Sequence, residues 1–348
     1  MSGGIGSLSN LSLELQKAMS TAFGVRAFEH LGSNSWNQCV RCRRVGGDLF
    51  VKILRPRAGH AVRSSRAIEC AYLKLREVDF DPSVNIIMPL IWPNGGPVCR
   101  FDGGLALAFP FIEELVPFEL ANSGLDAGQW IRRAATALAT FHAGVQSITG
   151  QVESDSAGSD IPHVVGIDAW LEGRDAYFIS ASTRIGLNTP GFDLRHLDFA
   201  RRFSDCLFDN INHSSRTVAL IHGDFRAGNV SFDPKLGQMA LFDFDLCRMG
   251  SLEEDIAYAA LNFAGARWLY SSIDWACFWG FLDFYYKAKG SAMPRDILWW
   301  TGWVVAKWIS LAFKEEQVIE RTKLLRQIAS GTLPGVGLRR AAIPRIDE

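Results

Sequence analysis

Between His222 and Asp245 the chain sets three oxygen-bearing side chains at fixed offsets: Asp224, Asn229 after four intervening residues, and Asp243 fourteen residues further on. Such a set suits phosphoryl transfer, a reaction that asks little covalent chemistry of a protein and much positioning. Asp224 would face an attacking hydroxyl as the catalytic carboxylate. Asn229 and Asp243 would hold Mg²⁺ against the phosphates of ATP. Singly, each is as readily a turn or cap residue; the joint spacing is what points to a site.

The neighbouring residues supply the elements such a site needs. The apolar run at 218–221 reads as a buried strand that presents His222 and Asp224 at its end. Residues 230–232 and 239–242 flank a turn at 233–237 and read as a hairpin that returns Asp243 beside Asn229.

The strings LIHGDFRAGNV, LFDFD and EEDIAYA resemble the aminoglycoside phosphotransferase and choline kinase family, whose fold is similar to that of eukaryotic protein kinases. The resemblance implies a two-lobed α+β protein-kinase-like fold. Residues 1–112 would form a nucleotide-binding N-lobe, a small antiparallel sheet with one helix, and 113–348 a larger, mainly helical C-lobe. It also implies an ATP- and Mg²⁺-dependent enzyme that moves the γ-phosphate onto a hydroxyl of a small molecule, such as an aminoglycoside or a related natural product. Asp255 would accept backbone N–H groups of the catalytic loop. The alternatives are a metabolic kinase for choline, homoserine or a sugar, and a nucleotide-binding pseudokinase regulator. Intact Lys52, Asp224, Asn229 and Asp243 weigh against the regulator. Gly223 replaces the Arg of protein kinases, eleven residues separate Asp243 from Asp255, and no Ala-Pro-Glu follows, so a peptide has no docking platform.

The N-terminal third offers a separate test. Residues 25–32, 36–45 and 49–54 read as strands, with a tight turn at Gly46-Gly47. Lys52 stands alone among apolar residues of the third strand, costly to bury unless anions meet it. In the family those anions are the ATP phosphates and a helix carboxylate. A helical stripe over 63–78 offers Glu69 mid-helix and Glu77 near its end; Glu69 is the expected partner. No Gly-x-Gly-x-x-Gly or Walker sequence occurs. The turn at 32–37 resembles the family's phosphate-covering loop, which puts Ser33 and Asn34 over the phosphates. Residues 105–112 read as a strand entering the hinge, where Pro110 would offer a carbonyl and Ile112 an N–H to the adenine edge; a proline is tolerable where no N–H is needed.

The rest of the chain bounds the answer. Its 348 residues are comfortable for two lobes, and a formal charge of −1 without basic runs gives no nucleic-acid footprint. Seven scattered cysteines and the lack of a basic-then-apolar opening lead us to expect a cytoplasmic protein with reduced thiols. Cys39 and Cys42, three apart on a strand, face opposite sides and make no zinc site. The apolar stretch at 297–313 contains Lys307, is too short to span a bilayer and reads as a core helix. A first helix is expected with Asn10 as N-cap and Gly24 at its end, a second amphipathic one at 129–142 beneath the catalytic loop. A surface loop is expected at 150–162 and an irregular tail at 330–348. Residues 262–308 hold fourteen aromatic residues, core for the most part, with some left to wall a substrate cavity. Aromatic faces would suit a quaternary ammonium. An aminoglycoside would need convergent carboxylates, for which Glu113, Glu114, Glu253, Glu254 and Asp274 are available. Asp245 faces the same side as Asp243 if 242–246 stay extended.

Overall fold

The third strand, Leu49–Leu54 (β3), organises the N-terminal part. Its period of two sends Leu49, Val51 and Ile53 into one small core, while Leu54 joins the main core on the opposite face, the face to which Lys52 belongs. Partners on both sides make it central. Ala27–Ser33 (β1), Asn37–Arg43 (β2), β3, Gly104–Pro110 (β6) and Cys99–Phe101 (β5) form a five-stranded antiparallel sheet in the order β1-β2-β3-β6-β5. Gly46 and Gly47, at φ 88° and 110°, make the tight β2–β3 turn that residues with a Cβ resist.

The computed structural model describes residues 11–33, 37–55, 64–117, 127–146, 148, 167–189, 191–211, 217–265, 273–331 and 333. The small core lies between the sheet and the helix Leu13–Phe23 (α1), through Leu15 and Met19. This helix is capped by Ser12, whose Oγ accepts the Leu15 N–H at 3.1 Å, and ends at Gly24 in the left-handed region. Ser12 thus takes the N-cap role expected of Asn10, which lies outside the described residues. The helix Ser65–Arg76 (α2) buries Ile68, Ala71, Tyr72 and Leu75.

Two short strands read from neither pattern nor propensity complete a second sheet, and the first of them ties the N-terminal part to the C-terminal part. Val84–Ile86 (β4) pairs in parallel with Gln238–Leu241 (β10), and Val116–Pro117 (β7) pairs with Val230–Asp233 (β9). The resulting sheet runs β4-β10-β9-β7. Val218–Ile221 (β8) pairs with Arg248–Ser251 (β11). The remaining described helices are Ala127–Val145 (α3), Ile167–Asn188 (α4), Arg195–Ile211 (α5), Leu252–Ala264 (α6), Trp275–Lys289 (α7), Ile297–Ser310 (α8) and Glu315–Ser330 (α9). Helix α8 is buried almost all round, as its apolar sequence requires, and no described helix is long and apolar enough to cross a membrane. The expected surface loop at 150–162 and residues 334–348 of the expected tail lie outside the described residues. The fold is α+β, an antiparallel N-terminal sheet followed by a mainly helical C-terminal part.

Candidate active site

The loop after β8 is pinned from below by Asp255 on α6. Its Oδ2 accepts the His222 N–H at 2.8 Å and its Oδ1 the Gly223 N–H at 2.9 Å, the role expected of it. His142 on α3 approaches the same carboxylate at 3.1 Å, and Tyr285 holds the other ring nitrogen at 2.8 Å. Burial works to raise the Asp255 pKa, but the His142 hydrogen bond and charge, with the loop donors, outweigh it and hold the carboxyl below the ordinary range. Gly223 sits at φ 78°, and a Cβ there would run into the Leu246 carbonyl oxygen, so this turn needs glycine.

Asp224 is held on both oxygens. The Tyr258 hydroxyl donates to Oδ1 at 2.5 Å; Asn229 Nδ2 and Arg226 Nε donate to Oδ2 at 2.8 and 3.0 Å. Asn229 Nδ2 also donates to the Asp224 backbone oxygen at 2.8 Å, and the Phe242 N–H to the Asn229 carbonyl at 3.2 Å, so loop and hairpin are joined. The Asn229 amide oxygen and Asp243 Oδ2 accept no hydrogen bond from the described residues. Two oxygens left open, one on a pinned loop and one at the end of the hairpin bonded to it, suit Mg²⁺, which takes one or two protein ligands and completes its shell with water and phosphate oxygens. No group of three or more His, Cys, Asp or Glu suited to a metal occurs among the described residues.

Lys52 is where the structure departs from expectation. Its ammonium lies 2.6 Å from Asp243 Oδ1 and 2.6 Å from Asp245 Oδ2 and makes no ion pair with Glu69. Glu69 instead turns its carboxylate against Gly96, where a Cβ would collide with it. The physical reason lies at Asp243. It adopts φ 69°, the one non-glycine residue in the left-handed region among those described, and the chain then winds into a 3-10 turn, Phe244–Leu246. The segment is therefore not extended, and the turn swings Asp245 back onto Lys52. Tyr72 on α2 donates to Asp245 Oδ1 at 3.3 Å and accepts the Phe244 N–H at 3.2 Å, fixing that turn. Burial acts to lower the Lys52 pKa, yet the two carboxylates prevail and raise it. Burial likewise works against an ionised Asp243, which Lys52 nonetheless holds below its ordinary value, whereas Asp245 is raised by burial and by Asp243.

The other expected residues fall as follows. Ser33 ends β1 opposite Gln38, and Asn34 lies outside the described residues. Pro110 closes β6. The Phe111 N–H reaches back to the Asp48 carbonyl at 3.0 Å, and the Ala108 carbonyl accepts the Leu90 N–H at 2.7 Å on the opposite edge. By alternation the Pro110 carbonyl points to that opposite edge too. The carboxylates weighed for a polycationic substrate do not converge. Glu113 pairs with Arg41, Glu114 with Lys235, Glu253 bonds Ser251, and Asp274 caps α7. Only Glu254 stays at the loop, buried against Arg248. Tyr258 and Arg226 were not expected: Arg226 stands two places after Asp224 and could have been suspected, but nothing in the pattern of α6 marks Tyr258.

Comparisons with known proteins give the family and the fold. A family model described as "Phosphotransferase enzyme family" matches residues 31–285, and the chain belongs to that family. It is therefore a small-molecule phosphotransferase. The comparison with curated proteins finds no match. Among solved structures, the chain is similar to an amicoumacin kinase bound to AMP-PNP, Ca²⁺ and its antibiotic, at 13% identity and a TM-score of 0.63 over 91% of this chain and 93% of that one. A microcompartment-associated aminopropanol kinase gives 13% and 0.59 over 94% and 99%. A choline/ethanolamine kinase family protein from Mesorhizobium loti gives 14% and 0.56 over 92% and 94%. At these identities the likeness speaks for the fold, that of the protein-kinase-like phosphotransferases.

Proposed function

We propose that this chain transfers the γ-phosphoryl group of Mg-ATP to a hydroxyl of a small molecule, with Asp224 as the catalytic carboxylate. The observation that carries the reading is Asp224 locked on both oxygens beside the open oxygens of Asn229 and Asp243. The acceptor oxygen attacks the γ-phosphorus as its proton passes to Asp224, the bond from that phosphorus to the β-phosphate oxygen breaks, and ADP leaves with the electron pair. Asn229 Oδ1 and Asp243 would hold Mg²⁺, which supplies positive charge to the phosphate oxygens. Lys52, steadied by Asp243 and Asp245, meets the α- and β-phosphates. Arg226, bonded to Asp224, would offset charge on the transferred group. Ser33 and Asn34 cover the phosphates, and the Pro110 carbonyl and Ile112 N–H read the adenine edge. Glu69 is not needed for Lys52 in this arrangement, and its place there passes to Asp245. The ATP-analogue complex of the amicoumacin kinase supports ATP as donor, and seven free cysteines suit a cytoplasmic setting. The dispersed carboxylates weigh against an aminoglycoside acceptor and leave a smaller hydroxylated molecule as the better reading.

The test is Mg²⁺-dependent ADP release in the presence of acceptor. Asp224→Ala and Asp243→Ala should each lower turnover by on the order of 10³-fold, because positioning and charge neutralisation are the catalysis. Asp224→Ala should keep ATP binding and Asp243→Ala weaken it only when Mg²⁺ is present. More than a tenth of wild-type turnover in either variant would overturn the assignment.

A further inference from the structure

Beside Asp224 opens a recess of about 40 Å³, lined by Gly223, Arg248, Glu254, Tyr258, Trp303 and Lys307 among others. Its charged residues are no surface ornament: Arg248, Glu254 and Lys307 are 3%, 5% and 7% exposed. Arg248 Nη2 pairs with Glu254 Oε1, and Lys307 Nζ lies 3.7 Å from the same oxygen. Glu254 Oε1 is thus shared by two cationic side chains, while Asp224 and Asp255, the other carboxylates of the lining, are held by Tyr258, Asn229 and Arg226 and by His142 and the loop N–H groups. Four further polar atoms here are buried with no hydrogen-bond partner: Arg248 Nε and Nη1, Trp303 Nε1 and Glu254 Oε2. Three of the four are N–H donors. A buried donor left unmade costs about 1–3 kcal/mol, more when it carries charge, so such a group calls for an explanation. Glycine at 223 contributes to the space, since a Cβ there would come within 2.8 Å of Arg248 Nη1. The remaining wall is aromatic, Trp308 stacked on Tyr258 at 6.1 Å between ring centroids, and Tyr258 also holds Asp224.

We infer that the recess seats a carboxylate of the phosphate acceptor, on Arg248, Lys307 and the Trp303 N–H, so that the acceptor is a small hydroxy acid or hydroxy amino acid. This rests on the phosphotransfer reading above and narrows it. Three orphan donors, two of them on the Arg248 guanidinium, match an acceptor-rich anion, and Glu254 Oε2 is left to receive one donor, an ammonium or second hydroxyl of the same molecule. Size agrees. A volume of about 40 Å³ admits about three or four water-sized groups, enough for a carboxylate and its carbon. Arg248 opposes a quaternary ammonium or a polyamine at this spot, whereas the carboxylates and aromatic faces of the lining would draw one, so cationic acceptors enter the test.

Matched pairs of acceptors test the inference: small hydroxy acids and hydroxy amino acids, each against its primary amide, with choline and an aminoglycoside as cationic arms. ADP release without acceptor, and thermal stabilisation by an ATP analogue, report on the phosphotransfer centre separately. The acid should exceed its amide at least about 10-fold in kcat/KM. Arg248→Gln should raise KM for the acid about 10- to 100-fold while leaving KM for the amide within about 3-fold, and Arg248→Lys should restore part of the preference. Should Arg248→Gln fail to fold, the wild-type pairs and Arg248→Lys still decide. Equal use of acid and amide, a better cationic acceptor, or no stimulation by any carboxylate over the acceptor-free rate overturns the inference and leaves the phosphotransfer reading standing. Loss of both acceptor-free release and nucleotide stabilisation in the wild type overturns both.

Discussion

Two buried clusters of three charges meet the catalytic loop, and they are built in opposite senses. Lys52 stands between two carboxylates, Asp243 and Asp245, at 2.6 Å each, whereas Glu254 stands between two cations, Arg248 and Lys307. A buried set with surplus charge is costly unless its complement arrives. The first set is short of a cation and the second, when Lys307 carries its proton, of an anion, which are the charges of the ligands proposed for each. The two lysines make the contrast sharp, being one residue type at like burial, 6% and 7% exposed. Burial lowers the pKa of both, but two carboxylates lift that of Lys52 above its ordinary value. Lys307, opposed by Arg248 and helped by Glu254 alone, falls to about 7. Neighbours, not depth, decide which ammonium keeps its proton.

The largest effect should come from breaking the first cluster. Lys52→Met should lower kcat/KM by about 10²- to 10³-fold, the magnitude of losing one preorganised electrostatic group. Combined with Asp245→Asn in a double-mutant cycle, the losses should be strongly non-additive, since both act through one contact. Combined with Glu69→Gln they should add. Coupling to Glu69 instead would mean that ligand binding rebuilds the pairing expected from sequence.

The second cluster offers a mirror experiment read in stability. Glu254→Gln leaves Arg248 and Lys307 without their shared anion, and breaking a buried pair from one side costs about 3–5 kcal/mol. Urea unfolding should place the loss at the lower end of that range, because Lys307 can shed its proton. A cost below about 1 kcal/mol would show that water reaches and screens the pair, and would remove the contrast between the clusters.

What the sequence disclosed follows the same division. Asp224, Asn229 and Asp243 are linked by a short loop and a hairpin, so chain connectivity alone brings them together, and period two fixes the face on which Lys52 lies. Partner choice was not legible. It turns on Asp243 entering the left-handed region and on the 3-10 turn that follows, and no local pattern announces either. The same holds for β4, β5 and β7, of two or three residues each, too short for periodicity to register. Tyr258 touches Asp224 only because β8 and β11 pair and bring α6 beneath the loop. The aromatic-rich stretch divides as expected: Trp299 and Trp300 are core, while buried Trp303 and half-buried Trp308 line the recess. Trp268 and Tyr270, two aromatic residues of that stretch, lie outside the described residues.

The prediction that sharpens the comparison most is a pH dependence assigned to Lys307. Its pKa is about 7 in the folded chain against 10.5 for an ordinary lysine. Between those values the unfolded chain carries a proton that the folded chain lacks, so unfolding takes up a proton and stability rises with pH across the window. Above about 10.5 neither state is penalised, and as pH falls through about 7 the folded chain must bury the full charge and that contribution is lost. Lys307→Met should flatten stability against pH between 7 and 10.5 relative to wild type, in unfolding curves taken at matched ionic strength. A bound carboxylate would favour the charged ammonium, so saturating hydroxy acid should move the lower limit of the window upward in wild type and have no such effect in the Met variant. A wild-type profile flat from 7 to 10.5 would show that Lys307 keeps its proton as Lys52 does, and that the two clusters are electrostatically alike after all.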